Sequence, residues 1–155
     1  VPRFFLRLDP AGKYSTRVSA GRLHFSTFGG ACPKWNIHRT FEPPGETVTQ
    51  LIQMPDETTY VSISKAINRS RGYHGRPPAR VAIGLGCDKA YAENLVYFDR
   101  LDVAAQKPTP ICVNCYLCDR QNCASRAHAP LNRKLKFDAH ARGISLYEFE
   151  PVRDK

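Results

Sequence analysis

The sequence predicts an α+β fold in which an antiparallel sheet is combined with a few short helices. Strand-sized apolar segments are separated by turn residues, and no regular alternation of strands with long helices is visible. The chain has 155 residues, of which 42% are hydrophobic and 24% charged, so it is able to form one proper core. We therefore expect a single domain over residues 1–155, with a cysteine-rich C-terminal segment at 111–130 within it.

The expected strands follow one another closely along the chain. "FFLRLD" at 4–9 and the β-favouring residues 13–28, which are broken at Gly21, flank a "PAG" turn, which indicates strand, turn and strand. Residues 46–54 and 58–67 are strand-like and separated by "PDE", which predicts a hairpin. "RVAIGLG" at 80–86 predicts a further strand.

A short helix is expected between the second and third strands. Pro33 suits a first helical turn, and Trp35, His38 and Phe41 are spaced three residues apart on one side. The helix would end before the Pro43-Pro44 pair.

A second helix is expected directly after the strand at 80–86. Asp88 is a suitable cap for "KAYAENLVYF" at 89–98. Tyr91, Leu95 and Phe98 lie at i, i+4 and i+7, which is helical spacing.

The composition bounds the partners and the location of the protein. The formal net charge is +9, which favours polyanionic partners such as nucleic acid or phosphate-bearing metabolites. No run of about 18 apolar residues is present, and the N-terminal residues lack the layout of a signal peptide. We expect a cytoplasmic protein without a membrane-spanning segment. Because the sequence begins on a strand-like stretch without methionine, we also expect it to be a fragment.

The sequence carries no motif of a known enzyme class. Nucleophile-elbow, zinc-peptidase, P-loop and deaminase motifs are all absent from it. "GLGCDKA" at 84–90 is similar to a glycine-rich phosphate loop, but it lacks the third glycine of the dinucleotide fingerprint. The sequence therefore predicts that the chain is not an enzyme.

Aromatic residues are the candidates for contact with a small-molecule ligand. Phe25, Trp35 and Tyr60 are able to line a pocket, and Arg80 ends a basic stretch at 67–80. Core packing is the default role for such aromatic residues. The four residues are therefore candidates only.

Four of the six cysteines lie within the segment "ICVNCYLCDRQNC": Cys112, Cys115, Cys118 and Cys123. A C-x2-C spacing places two sulfurs on one tight turn, which suits a metal ion. His128 is a candidate nitrogen ligand, and Cys87 is a candidate remote sulfur. Zinc takes four such ligands and an iron–sulfur cluster takes four thiolates, so the spacing leaves both open.

The cysteine pattern also allows interpretations that need no metal. Reduced cysteines often pack as small buried hydrophobic side chains, and an even number of them permits structural disulfides. A redox role is a further alternative, because Arg120 and Arg126 flank the thiols and would lower a thiolate pKa.

The segment 115–131, "CYLCDRQNCASRAHAPL", resembles the signature C-x-x-C-x-R-x-x-C-x-x-R-A-x-x-P of bacterial short-chain fatty-acyl transcriptional regulators. The stretches 4–20, 29–56 and 82–97 are similar to the same family, so the likeness covers nearly the whole chain in order. In that family a helix-turn-helix domain comes first, a metallopeptidase-like segment follows, and a domain of about this size ends the protein. The chain resembles that C-terminal domain.

The resemblance implies an effector-sensing domain of a regulator of acetate, propionate or glyoxylate-route genes. The implied effector is an acyl-CoA ester, and DNA is bound through the helix-turn-helix domain of such a regulator. Regulators that read palindromic sites are commonly homodimers. We expect the fold to be similar to sensor domains of the GAF or PAS type.

The resemblance also narrows the metal ligands. Cys112 departs from the family pattern, in which a small residue often stands at that position. This favours Cys115, Cys118 and Cys123 as the core set, completed by Cys87 or Cys112. Two functions therefore compete: a ligand-sensing module, and a metal- or redox-sensing cysteine cluster that contributes to regulation or nucleic-acid contact. An enzyme acting on acyl thioesters is a third alternative.

Overall fold

The structure, a computed structural model, describes residues 1–42, 45–69, 73–75, 78–97, 102–103, 105–140, 143–145 and 147–150. Within these residues the main element is a six-stranded sheet with the order β2-β1-β5-β4-β3-β6. Its strands are β1 (Arg3–Leu8), β2 (Tyr14–Ser19), β3 (Thr47–Gln53), β4 (Thr59–Asn68), β5 (Arg80–Asp88) and β6 (Thr109–Pro110). Neighbouring strands are antiparallel, except that the short β6 runs parallel to β3.

The α+β prediction is confirmed, and its helical part consists of short 3₁₀ helices. These span Asn36–Phe41, Lys89–Asn94 and Cys115–Leu117 in the described residues. A two-stranded ribbon of β7 (Leu135–Lys136) and β8 (Glu148–Phe149) lies near the C-terminus. The likeness to GAF or PAS domains and the single domain over 1–155 stay predictions.

The hairpin at 46–67 forms as predicted. Thr47 pairs with Lys65 and Gln53 pairs with Thr59, so the register is continuous along both strands. The turn closes through the Met54 amide, which donates to the Thr58 carbonyl at 3.0 Å.

Of the predicted strand residues 13–28, broken at Gly21, only the part before the break forms a strand, which ends at Ser19. The following residues leave the sheet and return to its buried face, where Leu23 is only 3% exposed. The Phe25 ring meets the edge of the Phe4 ring at 6.1 Å between centroids. Burial of these two side chains therefore outweighs the β propensity of the segment.

Both predicted helices are shorter than expected and wind as 3₁₀ helices. In the first, Ile37 and Thr40 are the buried pair, and the Thr40 hydroxyl donates to the Ile37 carbonyl at 2.7 Å. Of the three residues predicted to share one side, Trp35 is buried, whereas His38 and Phe41 are partly buried and Phe41 packs against the main core.

In the second helix the predicted cap is confirmed. The Asp88 side chain accepts from the Ala90 amide at 2.9 Å. The helix is shorter than predicted: it ends at Asn94 and buries Ala92, Tyr91 is exposed, and Leu95 packs against the second cluster described below. Phe98 lies outside the described residues.

The glycines of "GLGCDKA" lie inside β5, so this stretch does not form a phosphate-binding loop. A Cβ atom at Gly86 would overlap the Phe4 ring and the Val61 carbonyl. Glycine is required here because neighbouring groups approach the backbone closely.

The core covers one face of the sheet and a smaller cluster covers part of the other. The main cluster includes Phe4, Leu6, Leu8, Trp35, Ile37, Ile52, Ala82 and Ile111. The second contains Leu51, Val61, Ala92 and Val103. Among the described residues, no helix is long and apolar enough to cross a membrane. The main cluster extends to Ile111, and the cysteine segment begins there.

Candidate functional site

The cysteine segment is attached to the sheet by β6. Thr109 and Pro110 pair with Ile52 and Gln53 of β3, and the Ile111 amide donates to the Gln53 carbonyl at 2.9 Å. Ile111 is 1% exposed in the main core. The next residue, Cys112, is therefore held at the margin of the core.

Asn114 fixes the next turn of the segment. Its side-chain oxygen accepts from the Leu117 amide at 3.0 Å and so caps the Cys115–Leu117 helix. Its amide nitrogen donates to the Ser26 hydroxyl at 2.6 Å and to the Phe28 carbonyl at 3.4 Å. The cysteine segment is thereby joined to the loop that precedes Cys32.

Four buried cysteines converge at this place: Cys32, Cys112, Cys115 and Cys118. The Sγ atoms of Cys112 and Cys118 are 2.7 Å apart. The Cys32 thiol accepts hydrogen bonds from the backbone amides of Cys112 and Lys34, and it interacts electrostatically with the Cys115 and Cys118 thiols. We call these four residues the cysteine cluster.

The thiols of the cluster differ in their tendency to ionise. The hydrogen bond from Cys112 lowers the pKa of Cys118 to about 6, assisted by the Arg120 amide and by the charges of Arg126 and Arg120. The same hydrogen bond, with burial, raises the pKa of Cys112. Burial also raises the pKa of Cys32. Cys118 is thus the more acidic thiol of the pair, and Cys112 is the hydrogen-bond donor.

Arg126 lies directly behind the cluster and is 5% exposed. Its guanidinium donates to the carbonyls of Cys115 at 3.1 Å, Cys118 at 3.1 Å and Arg120 at 2.7 Å. The guanidinium carbon also lies 4.8 Å from the centroid of the Phe149 ring in β8. One side chain therefore holds three carbonyls of the cysteine segment.

Arg120 approaches the cluster from the other end. Its guanidinium donates to the Ile111 carbonyl at 3.5 Å and forms a hydrogen bond with the Cys112 thiol. The two arginines make the surroundings of the thiols electropositive, as the redox reading of the sequence expects.

The donor set of the cluster suits a soft metal, although its present arrangement is one of reduced thiols. Among the described residues, no group of three or more Cys, His, Asp or Glu side chains is arranged to hold a metal ion. Four thiolates are nevertheless the ligand set of structural zinc and of iron–sulfur clusters. The chemistry of the residues fits such a centre, and its presence stays a prediction.

The predicted metal ligands are only partly brought together. Cys112, Cys115 and Cys118 meet in the cluster, whereas Cys87 lies in the middle of the sheet, paired with Arg3 and Val61. Cys123 is partly exposed and its carbonyl accepts from the Arg126 amide. The groups whose charges shift the pKa of the Cys87 thiol are Asp88, Arg3 and the N-terminus, and not the other described cysteines.

Cys32 is the cluster member that the sequence reasoning missed. The signal that would have found it is the dipeptide Cys32-Pro33. Bacterial ferredoxins combine a C-x2-C-x2-C run with a more distant Cys that is followed by Pro. Cys112, Cys115 and Cys118 supply that run here.

A cleft of about 720 Å³ lies beside the cluster. One wall is the β1–β2 turn with Lys13 and Tyr14, and the opposite wall includes Cys115, Tyr116 and His128. The Tyr116 and His128 rings are stacked, with centroids 4.5 Å apart and planes 11° from parallel. The cleft therefore combines cationic and aromatic groups with one of the cluster cysteines.

The residues proposed from sequence as ligand contacts lie elsewhere. Trp35 and Tyr60 are buried in the main core, and the Trp35 indole donates to the Ser62 hydroxyl at 2.8 Å. Phe25 packs against the same core, and Arg80 donates to the Phe41 carbonyl at 3.5 Å. These contacts give all four a structural role, and contact with an effector stays a prediction.

Comparison with known proteins identifies the family. Residues 1–147 match the family described as short-chain fatty acyl coenzyme A regulator, C-terminal. The chain is 45% identical over 148 residues to the propionyl-CoA carboxylase regulator of Cereibacter sphaeroides, covering 96% of the chain and 32% of that regulator. It is 41% identical over 150 residues to the HTH-type transcriptional regulator RamB of Mycobacterium tuberculosis, covering 95% and 32%. The HTH-type transcriptional regulator PrpR of the same organism is also 41% identical over 150 residues, with 94% and 30% covered.

A solved structure supports the same assignment. A Mycobacterium tuberculosis transcriptional regulator superposes with a TM-score of 0.83 at 36% identity, over 94% of this chain and 45% of that one. The chain spans about a third of the length of the relatives it matches in sequence. The relatives are named as regulators, RamB and PrpR as transcriptional ones, which agrees with the prediction of a regulatory domain that is not an enzyme. The chain belongs to the short-chain fatty acyl coenzyme A regulator family, and it corresponds to the C-terminal domain of these regulators.

Proposed function

We propose that the chain is the effector-responsive domain of a transcriptional regulator of short-chain acyl-CoA metabolism, and that the cleft binds an acyl-CoA ester. The observation that carries this proposal is that Cys115 belongs to the cysteine cluster and also lines the cleft. A ligand in the cleft would thus contact the segment that contains Cys112, Cys115 and Cys118. The name of the propionyl-CoA carboxylase relative supports propionyl-CoA as the first ester to test.

The chemistry of the cleft supports an anionic ligand with a short apolar end. Lys13 and Arg17 line it and supply cationic groups for phosphates. Tyr14 and Tyr116 supply aromatic surface. A volume of about 720 Å³ is within the usual range for cofactor-sized ligands.

The test is a thermal shift with propionyl-CoA in excess over the chain. We expect the melting temperature to rise, and we expect the double variant Lys13→Ala/Arg17→Ala to lose most of that rise. The matched control is Lys65→Ala, an exposed lysine on β4 outside the cleft, which should keep the full rise. A rise that survives the double variant, or no rise in the unmodified chain, would contradict the cleft as the effector site.

The cysteine cluster supports a second function, a metal- or redox-responsive centre. We propose that Cys32, Cys112, Cys115 and Cys118 together bind a metal centre as thiolates. The C-x2-C-x2-C run with a remote Cys-Pro favours an iron–sulfur cluster, and zinc is the alternative. Such a centre would fix the positions of segments that are otherwise joined through Asn114 and Arg126.

This proposal is tested by elemental analysis and absorption spectroscopy on anaerobically purified chain. We expect iron with a broad visible band, or about one zinc per chain without one. Cys32→Ser should lose the metal, whereas the buried control Cys87→Ser should keep it. Metal retained in Cys32→Ser but lost in Cys87→Ser would show that the metal is bound by the ligand set expected from the sequence, which includes Cys87 and not Cys32. A metal-free unmodified chain would overturn the centre altogether.

We also propose the partners that the family implies. DNA would be contacted by the helix-turn-helix part of the full-length regulator, as the names of the RamB and PrpR relatives suggest for those proteins. A homodimer would match a palindromic DNA site. The role of this domain would then be to favour one arrangement of the full-length regulator when its ligand is bound.

A further inference from the structure

Arg126 is a buried cation whose charge is not balanced by a carboxylate among the described residues. It is 5% exposed, and the ion pair found in the described part of the chain joins Arg133 to Asp119 instead. Burial of a guanidinium without an anionic partner is costly. Negative charge from another source would therefore stabilise the site.

The surroundings of Arg126 point to the thiols as that source. Its hydrogen-bond partners are three neutral carbonyls, those of Cys115, Cys118 and Arg120. The ring of Phe149 covers its outer side at 4.8 Å. Two of the three carbonyls belong to members of the cysteine cluster, and the charge of the guanidinium acts on the Cys118 thiol.

The charges of the two arginines match those of a thiolate-bound centre. A dication held by four thiolates is a dianion. Arg126 and Arg120 carry the corresponding positive charge, and Arg120 already contacts the Cys112 thiol. An apolar side chain in place of Arg126 would leave the dianion half balanced in a buried site.

We propose that Arg126 is a positioning residue of the metal centre: it holds the 115–120 segment by three carbonyls and supplies the counter-charge of the thiolates. This inference rests on the proposed metal centre. A purely structural role would require the planar guanidinium with its several N–H donors. A counter-charge role predicts instead that a lysine, which keeps the positive charge but not that arrangement of donors, preserves much of the metal retention.

The experiment compares Arg126→Met and Arg126→Lys with the unmodified chain, and uses Arg133→Met as a matched control. Arg133 is an arginine of the same region, whose partner is the exposed Asp119. After anaerobic purification, metal content and the rate of metal loss to a chelator are measured. Fluorescence of Trp35, the single tryptophan, reports independently whether the main core is folded.

We expect Arg126→Met to weaken metal retention by about 10- to 100-fold, as loss of groups behind metal ligands commonly does. Arg126→Lys should recover most of that loss, and Arg133→Met should behave as the unmodified chain. If Arg126→Met does not fold, the lysine variant decides alone: retention of metal supports the counter-charge, and loss overturns it.

The remaining outcomes separate this inference from the metal centre itself. Metal retained by Arg126→Met, or lost equally by the Met and Lys variants, overturns the counter-charge while leaving the centre in place. An unmodified chain without metal overturns the centre, and the counter-charge with it.

Discussion

At the scale of single residues, Asn114 connects the parts of the candidate site. Its one side chain caps the Cys115–Leu117 helix and bonds to Ser26 and Phe28 in the loop before Cys32. It is 1% exposed, and its bond to the Ser26 hydroxyl is buried. Local capping and long-range attachment are thus combined in one amide.

Asn114→Ala should therefore destabilise the chain by about 1–3 kcal/mol, because it leaves buried donors and acceptors unpaired. The measurement is urea denaturation, read as a change in midpoint. Asn94→Ala is the control, because that amide donates to the Tyr91 carbonyl at 3.5 Å in an exposed position, and it should cost less than about 0.5 kcal/mol. Equal midpoints for the two variants would show that Asn114 does not hold the segment.

At the scale of elements, the strands are largely predictable from sequence and the helices are not. The hairpin at 46–67 follows from the apolar segments and the "PDE" turn between them, and its observed register agrees. The sequence predicts the second helix from α-helical spacing, whereas the observed 3₁₀ helices bury Ile37 with Thr40, and Ala92 with Tyr91 left exposed. Short helices depend on tertiary contacts more than on periodicity.

The sequence predicts the candidate site only where its residues lie close together along the chain. The C-x2-C-x2-C run of Cys112, Cys115 and Cys118 is visible in the sequence and does converge. The fourth thiol, Cys32, is distant in sequence, and the attachments of β6 and Asn114 bring the run to it. Cys87 was an equally remote cysteine, but β5 places it in the middle of the sheet.

At the scale of the whole molecule, the cluster and the cleft share one segment. Cys115 belongs to the cluster, and its neighbour Tyr116 stacks on His128 at the wall of the cleft. If the cluster holds a metal, the metal would fix this wall before the effector arrives. Effector binding and metal binding would then favour the same arrangement, which is the requirement for coupling between two sites.

The most direct test of this account is calorimetric titration of propionyl-CoA into the metal-loaded chain and into the same chain after metal removal by a chelator. We expect the loaded chain to bind about 5- to 150-fold more tightly, the range typical of coupled sites, and propionyl-CoA to slow metal loss correspondingly. Trp35 fluorescence should be the same in both samples, as a control that the core is intact. Equal affinities in the two samples, or no binding to the loaded chain, would contradict the claim that the cysteine cluster and the cleft act as one regulatory site.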